Sequence, residues 1–172
     1  MSTRPTSPRG RTVVIGLGNP LMGDDGLGLA ALDHLRDRWD LPPEVELVDG
    51  GTWGMNLLPV IEGARRVLLL DAVETGAAPG TSATIERDRI PKYLAAKISP
   101  HQVDLRDVLA LAELRGTLPQ DTVVLGLQPE RVELGDTLSP AVIARLDGLV
   151  SSAVRLLESW GHRVTPRTLA HA

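Results

Sequence analysis

Cysteine is absent from this chain of 172 residues, which excludes disulfides, a thiol nucleophile and any thiolate metal site. A metal bound here would be held by oxygen and imidazole. Phenylalanine is absent too, and there are one tyrosine and three tryptophans, so the 42% apolar content is almost wholly aliphatic. The core is therefore expected to be packed Leu, Val, Ile and Ala. No run approaches the roughly 18 uninterrupted apolar residues of a membrane span, and the opening MSTRPTSPRGR lacks the apolar centre of a signal peptide. A cytoplasmic protein is expected. Two common hydrolytic signatures are also missing, the G-x-S-x-G elbow and the H-E-x-x-H helix.

What is present begins with charge. The net charge of −4 hides an asymmetry: the first eleven residues hold Arg4, Arg9 and Arg11 and no acid, leaving 15 basic against 22 acidic residues in the remainder. Nucleic acid is not an expected partner of such a body. An acidic surface suits a cation or a basic peptide, although surface acids commonly serve solubility alone. The length and apolar content suit one core. Residues 12–161 are expected to form a single domain, with 1–11 a disordered N-terminal tail and 162–172 a C-terminal tail.

Short β-branched or Leu-rich runs alternate with segments of helical period. Strands are expected from Thr12 to Leu17, Val45 to Asp49, Arg66 to Asp71, Ser82 to Arg87 and Thr122 to Leu127. Helices are expected from Gly26 to Trp39, Met55 to Glu62, Ile90 to Ala96, Leu105 to Leu114 and Pro140 to Trp160. In the last of these Val142, Leu146, Leu149, Ala153, Leu157 and Trp160 share one stripe, with Ser139 as N-cap and Pro140 at the first helical position. This alternation predicts an α/β three-layer sandwich: a five-stranded, largely parallel twisted sheet with helices on both faces.

Ligands of open α/β sheets bind beyond the carboxyl ends of the strands. Acids gather at three of those ends. The first strand leads to Asp24 and Asp25, the second stops at Asp49, and the apolar RVLLLDAV delivers Asp71 as it leaves the core. Two nucleotide-related readings fail on missing residues. GLGNPL has Leu21 where a dinucleotide fingerprint needs its third glycine, and no lysine follows to make a phosphate loop. A phosphoacceptor receiver module needs a lysine after its last strand, where this chain has QPE. Of the four histidines, His34 lies on the polar part of a helix and His162 and His171 belong to the C-terminal end, so all three read as surface residues. His101, in KISPHQVDLRDVLAL, stands near a helical N-terminus whose amides disfavour its protonation. Together Asp25, Asp71 and His101 make a set of two carboxylates and one imidazole that suits nickel, zinc, manganese or iron and leaves positions for substrate or water.

The ordered motifs GLGNPLMGDDGLG, DGGTWGMNLL, LLLDAV, APGT, KISPHQ and GLQPE span most of residues 12 to 160. In that order they resemble the endopeptidases that mature the large subunit of nickel-iron hydrogenases. The resemblance implies a sandwiched five-stranded sheet and a nickel site formed by an acid, an aspartate and a histidine. Carried over by motif, these are Asp25, Asp71 and His101; with a nickel ion to polarise the scissile carbonyl or lower the pKa of a bound water, Asp25 or Asp71 is the expected base. It also implies the reaction: one cut that removes a C-terminal extension from the hydrogenase large-subunit precursor after nickel insertion. The nickel is then supplied by the precursor, and the protease is expected to be a monomer that meets it transiently.

Two departures from the family pattern stand out. The first ligand is often glutamate, where this chain has Asp25, and Asp104 stands where relatives often carry glycine. Asp24 reads as a turn or helix cap rather than a ligand. The DGGT turn, residues 49–52, reads either as free amides for an extended substrate or as a plain strand-to-helix turn. Trp53 reads either as an exposed contact or as a ring tucked under the neighbouring loop. Two functions of other classes remain alongside: another metal-dependent hydrolase on the same scaffold, and a chaperone that checks nickel loading without cutting.

Overall fold

The computed structural model describes residues 10–51, 54–96 and 105–168. The strands are β1 (Thr12–Gly16), β2 (Trp39–Asp40), β3 (Val45–Asp49), β4 (Arg66–Ala72), β5 (Ser82–Glu86), β6 (Asp121–Leu127) and β7 (Thr165–Pro166). The helices are α1 (Leu27–Arg38), α2 (Leu57–Glu62), α3 (Ile90–Ala96), α4 (Leu105–Leu114) and α5 (Pro140–Ser159). Five strands form one sheet in the order β3-β1-β4-β6-β5, and only the β5–β6 pair is antiparallel. The expected sandwich is present. Each of its elements lies within a residue or two of its expected bounds, with 3-10 turns at Gly23–Gly26 and Gly54–Asn56 leading into α1 and α2.

Every residue of β1 is buried, as are all but the first of β4, because these central strands are covered on both faces. Alternation divides them. Val14, Leu68, Leu70 and Ala72 join α1 and α5 in one core, while Val13, Ile15, Val67, Leu69 and Val73 join α2, Ile90 and α4 in the other. The fully buried Leu27, Leu32 and Leu35 fix α1 to its face, each contributing about 1.5–3 kcal/mol. Close approach is built in at Gly28, where an added Cβ would lie 2.1 Å from the Leu70 carbonyl oxygen. The N-terminal turn of α1 therefore rests directly on β4. Among the described residues, no helix is long and apolar enough to cross a membrane.

The C-terminal end departs from expectation. Gly161, at φ 90°, closes α5 in a Schellman turn: its amide bonds the Glu158 carbonyl (2.9 Å) and the His162 amide bonds Leu157 (3.1 Å). The turn carries the chain back over the sheet. Val164 is buried, Thr165–Pro166 pairs antiparallel with β2, and Arg167 meets Asp40 at 3.0 Å. Residues 162–168 are thus built into the fold rather than forming a tail. His162 is likewise not a surface residue; it is buried, with Nε2 2.7 Å from Thr12 Oγ1 at the start of β1. Replacing it leaves a cavity and takes that partner from a buried hydroxyl. His162→Ala is expected to lower stability by about 1–3 kcal/mol, read as a lower urea midpoint at unchanged slope. An unshifted midpoint would show that the pair contributes nothing.

Candidate active site

The chain from β1 crosses to β3 on one side and then returns to β4 on the other, so strand order reverses between β1 and β4. Beyond the carboxyl ends of those two strands lies the crevice where such sheets bind ligands. Asp25 lies in the 3-10 turn that follows β1, and Asp71 is the next-to-last residue of β4. The 3-10 turn Gly23–Gly26 packs against β4, which brings the two elements together.

The Asp25 turn is closed by its own backbone. Leu17 continues the ladder by bonding the Leu70 carbonyl (2.9 Å), and Gly18 then turns at φ 104°. The Asp25 carbonyl sits over Gly18, where an added Cβ would lie 1.7 Å from its oxygen, so any side chain there would displace the turn. The half-buried Asp25 carboxylate accepts the Asn19 amide at 2.9 Å through Oδ2. A loop amide thereby fixes the orientation of the proposed ligand.

Asp24, next to it, is fully buried and points the other way. Its Oδ1 accepts the Ser139 amide (2.7 Å), and its Oδ2 accepts the amides of Glu130 (2.8 Å) and Arg131 (3.0 Å) and the Ser139 hydroxyl (2.8 Å). Asp24 is therefore a clamp between the β1 turn and the loop before α5. Burial pushes its carboxyl pKa up, but the bonds from Ser139, Arg131 and Glu130 outweigh this and hold it below the ordinary range. Ser139 corrects an expectation. It occupies the N-cap position of α5 with extended backbone, yet its hydroxyl makes no cap bond to the helix and serves Asp24 instead.

Asp71 is also fully buried, not set in an open crevice. It follows Leu69 on the face covered by α2 and α4, and its Oδ2 accepts the hydroxyl of Tyr93. Tyr93 is the residue that sequence reasoning missed. A signal existed: it is the only tyrosine in the chain, and it lies three positions after Ile90, whose fully buried side chain anchors α3. A phenol donating to a carboxylate makes a charge-assisted bond and restricts how that carboxylate can turn.

Other expected features resolve differently. Asp49 Oδ1 accepts the Gly51 amide (2.9 Å), and the Gly50 amide bonds the Gly16 carbonyl (2.8 Å). The amides of Gly50 and Gly51 are thus taken up, one by β1 and one by Asp49 of the turn itself, which favours the plain strand-to-helix turn over amides left free for substrate. His34 lies away from the crevice, with Nδ1 3.5 Å from Asp147 of α5. His101, Asp104, Thr52, Trp53 and His171 lie outside the described residues. Among the described residues no three His, Asp or Glu side chains gather closely enough to hold a metal ion. Of the three candidate residues, the described ones are two carboxylates, Asp25 and Asp71, each accepting a hydrogen bond; such groups can accept a proton or bind a divalent ion.

Comparison with known proteins gives one answer. The family model of the hydrogenase maturation protease HycI matches residues 30–156, a span that includes Asp71 and His101. The chain is 40% identical over 157 residues to the hydrogenase expression/formation protein HupD of Rhodobacter capsulatus, covering 90% of this chain and 75% of that one. It is 33% identical over 162 residues to the hydrogenase 2 maturation protease of Escherichia coli, covering 94% and 99%. Its structure superimposes on the hydrogenase maturating endopeptidase HybD from E. coli with a TM-score of 0.85 at 34% identity, covering 91% of this chain and 98% of that one.

Proposed function

The chain belongs to the hydrogenase maturation protease family, and on that premise we propose that it removes the C-terminal extension from the large-subunit precursor of a nickel-iron hydrogenase after nickel insertion. The observation that carries the reading to this chain's own residues is the placement of Asp25 and Asp71 on two adjoining elements at the switch point of the sheet. Asp25, Asp71 and His101 are the proposed contacts to the nickel.

The nickel is treated as part of the substrate. A set without thiolates is a modest site, whereas cysteines on a precursor would hold the ion more firmly. Near the scissile bond a divalent ion polarises the carbonyl or acidifies a water. In this chain either carboxylate has the chemistry to accept the proton of the attacking water, after which the C–N bond breaks and the amine leaves protonated. Metal loading and cutting are coupled without a separate sensor. The reading places the protein in the cytoplasm as a monomer, supported by the way α1 and α5 spend their apolar stripes on the sheet.

Incubation with precursor prepared with and without nickel, read by intact mass, tests this. Only the loaded precursor is expected to be shortened, and protease treated with chelator and then freed of it should cut as well as before. Cleavage of nickel-free precursor by a tightly metallated protease would make it an ordinary metalloprotease. Binding of loaded precursor without loss of mass would make it a checkpoint chaperone.

A further inference from the structure

The loop from β6 to α5 has a property that the chemistry above does not use. Val132 and Leu134 are 54% and 85% exposed, and Leu21, in the turn after β1, is 60% exposed. These large aliphatic side chains stand in water on two loops bonded to each other. The Gly135 amide donates to the Leu21 carbonyl (2.9 Å), the Gly23 amide to Gly135 (2.9 Å) and the Asp24 amide to Arg131 (2.9 Å). Met22 and Gly135 pair as a parallel bridge, and the Asp24 carboxylate fastens Glu130, Arg131 and Ser139. The apolar rim and the turn that carries Asp25 are one braced unit.

We infer that this rim of Leu21, Val132 and Leu134 is the surface on which the precursor docks before cleavage. The inference rests on the proposed function and adds where the substrate sits. Continuity selects the occupant: Leu21 and Asp25 belong to the same β1–α1 connection, so the rim adjoins the segment that carries a proposed nickel contact. Bracing matters because a preformed surface gives up little conformational entropy on binding. Charge narrows the partner further, since the exposed Glu130, Glu133 and Asp136 flank Val132 and Leu134 along the loop, with Arg131 as its single cation. The matching face is an apolar segment bordered by basic residues. A second copy of this chain fits poorly, because three side chains fall far short of the roughly 800 Å² per partner of a stable dimer, whereas a substrate released after one cut needs only a transient contact.

The test uses a triple variant, Leu21→Ser with Val132→Ser and Leu134→Ser, and a charge variant, Glu133→Lys with Asp136→Lys. Both are measured for direct binding to nickel-loaded precursor and for steady-state cleavage. The triple variant is expected to raise Kd and KM by at least ~10-fold with kcat and the urea midpoint unchanged. The charge variant should weaken binding and flatten its dependence on salt. Normal Kd and KM in the triple variant, with wild-type cleavage intact, would overturn the rim and leave the proposed function standing. Rim-dependent binding without any cleavage would do the reverse, and wild-type protein that neither binds nor cuts would end both. A concentration-dependent dimer in sedimentation, lost in the triple variant, would reassign the rim to self-association and overturn the inference.

Discussion

Asp24→Asn is expected to be among the most destabilising isosteric changes in this chain, costing about 2–4 kcal/mol although no atom is removed. The carboxylate receives only donors: one amide on Oδ1, and two amides and a hydroxyl on Oδ2. Asparagine offers one acceptor oxygen and one NH2 group. If the NH2 takes the place of Oδ2 it faces the amides of Glu130 and Arg131, and if it takes the place of Oδ1 it faces that of Ser139. Either way a buried donor meets a buried donor, and hydrogen bonds to a charged acceptor, worth about 1.5–3 kcal/mol each, are lost. Because Asp24 lies in the fold with its carboxyl held below the ordinary range, the unfolded chain takes up its proton first on acidification. The contribution of this group is fully present above its unfolded pKa near 4 and is lost as pH falls through its lower folded value. Urea midpoints measured from pH 7 to pH 3 should therefore fall more steeply for the wild type than for Asp24→Asn below about pH 4. Equal stability at pH 7 and parallel acid slopes would show that the clamp carries no load.

How much of this was legible in the sequence depends on how far apart the partners lie. The continuous apolar runs VVIG and VLLL announce strands covered on both faces, and the acids following them mark the carboxyl edge, so Asp25 and Asp71 could be singled out before any coordinates. Asp24 could not be read in the same way. Its partners lie 106 to 115 residues away, and Glu130 and Arg131 contribute backbone amides that any residue but proline would supply. Its identity as an acid was plain, but the direction it faced was not, since adjacent residues of a tight turn point to different sides. Ser139 misled for a related reason. Ser before Pro is a sound local cap signal, but the rotamer in which its O–H donates to the buried Asp24 carboxylate leaves Oγ without a bond to the helix amides.

His162 and Tyr93 show two other ways in which local pattern fails. After a long helix, GHRV reads as polar and terminal. The glycine, however, permits the left-handed turn that folds the chain back, and Val164 then finds the core while His162 meets Thr12 from 150 positions away. Tyr93 sits in a helix of seven residues with too few turns to declare a face by period alone. In the fold, Ile90 packs into the second core and the Tyr93 hydroxyl reaches Asp71 near the end of β4.

Asp71→Asn and Asp25→Asn are each expected to reduce cleavage of nickel-loaded precursor by about 10³-fold or more while leaving a folded protein. Asparagine is the informative replacement at both sites. At position 71 an amide oxygen can still accept the Tyr93 hydroxyl, and at position 25 it can still accept the Asn19 amide, so the scaffold bonds persist while the negative charge is removed. Alanine at position 71 would confuse the result, because the side chain is fully buried and its removal opens a cavity. Tyr93→Phe gives the graded control. It keeps the ring and the charge and removes only the bond that orients Asp71, and the loss of such an outer contact costs about 10–100-fold in metal affinity or activity. The expected order is therefore wild type, then Tyr93→Phe, then the two asparagine variants, with urea midpoints of the last two close to wild type. Stability and activity would then separate cleanly from Asp24→Asn, which should lose midpoint first. Full cleavage by Asp71→Asn at wild-type stability would remove Asp71 from the chemistry, and with it the reason for placing the site between β1 and β4.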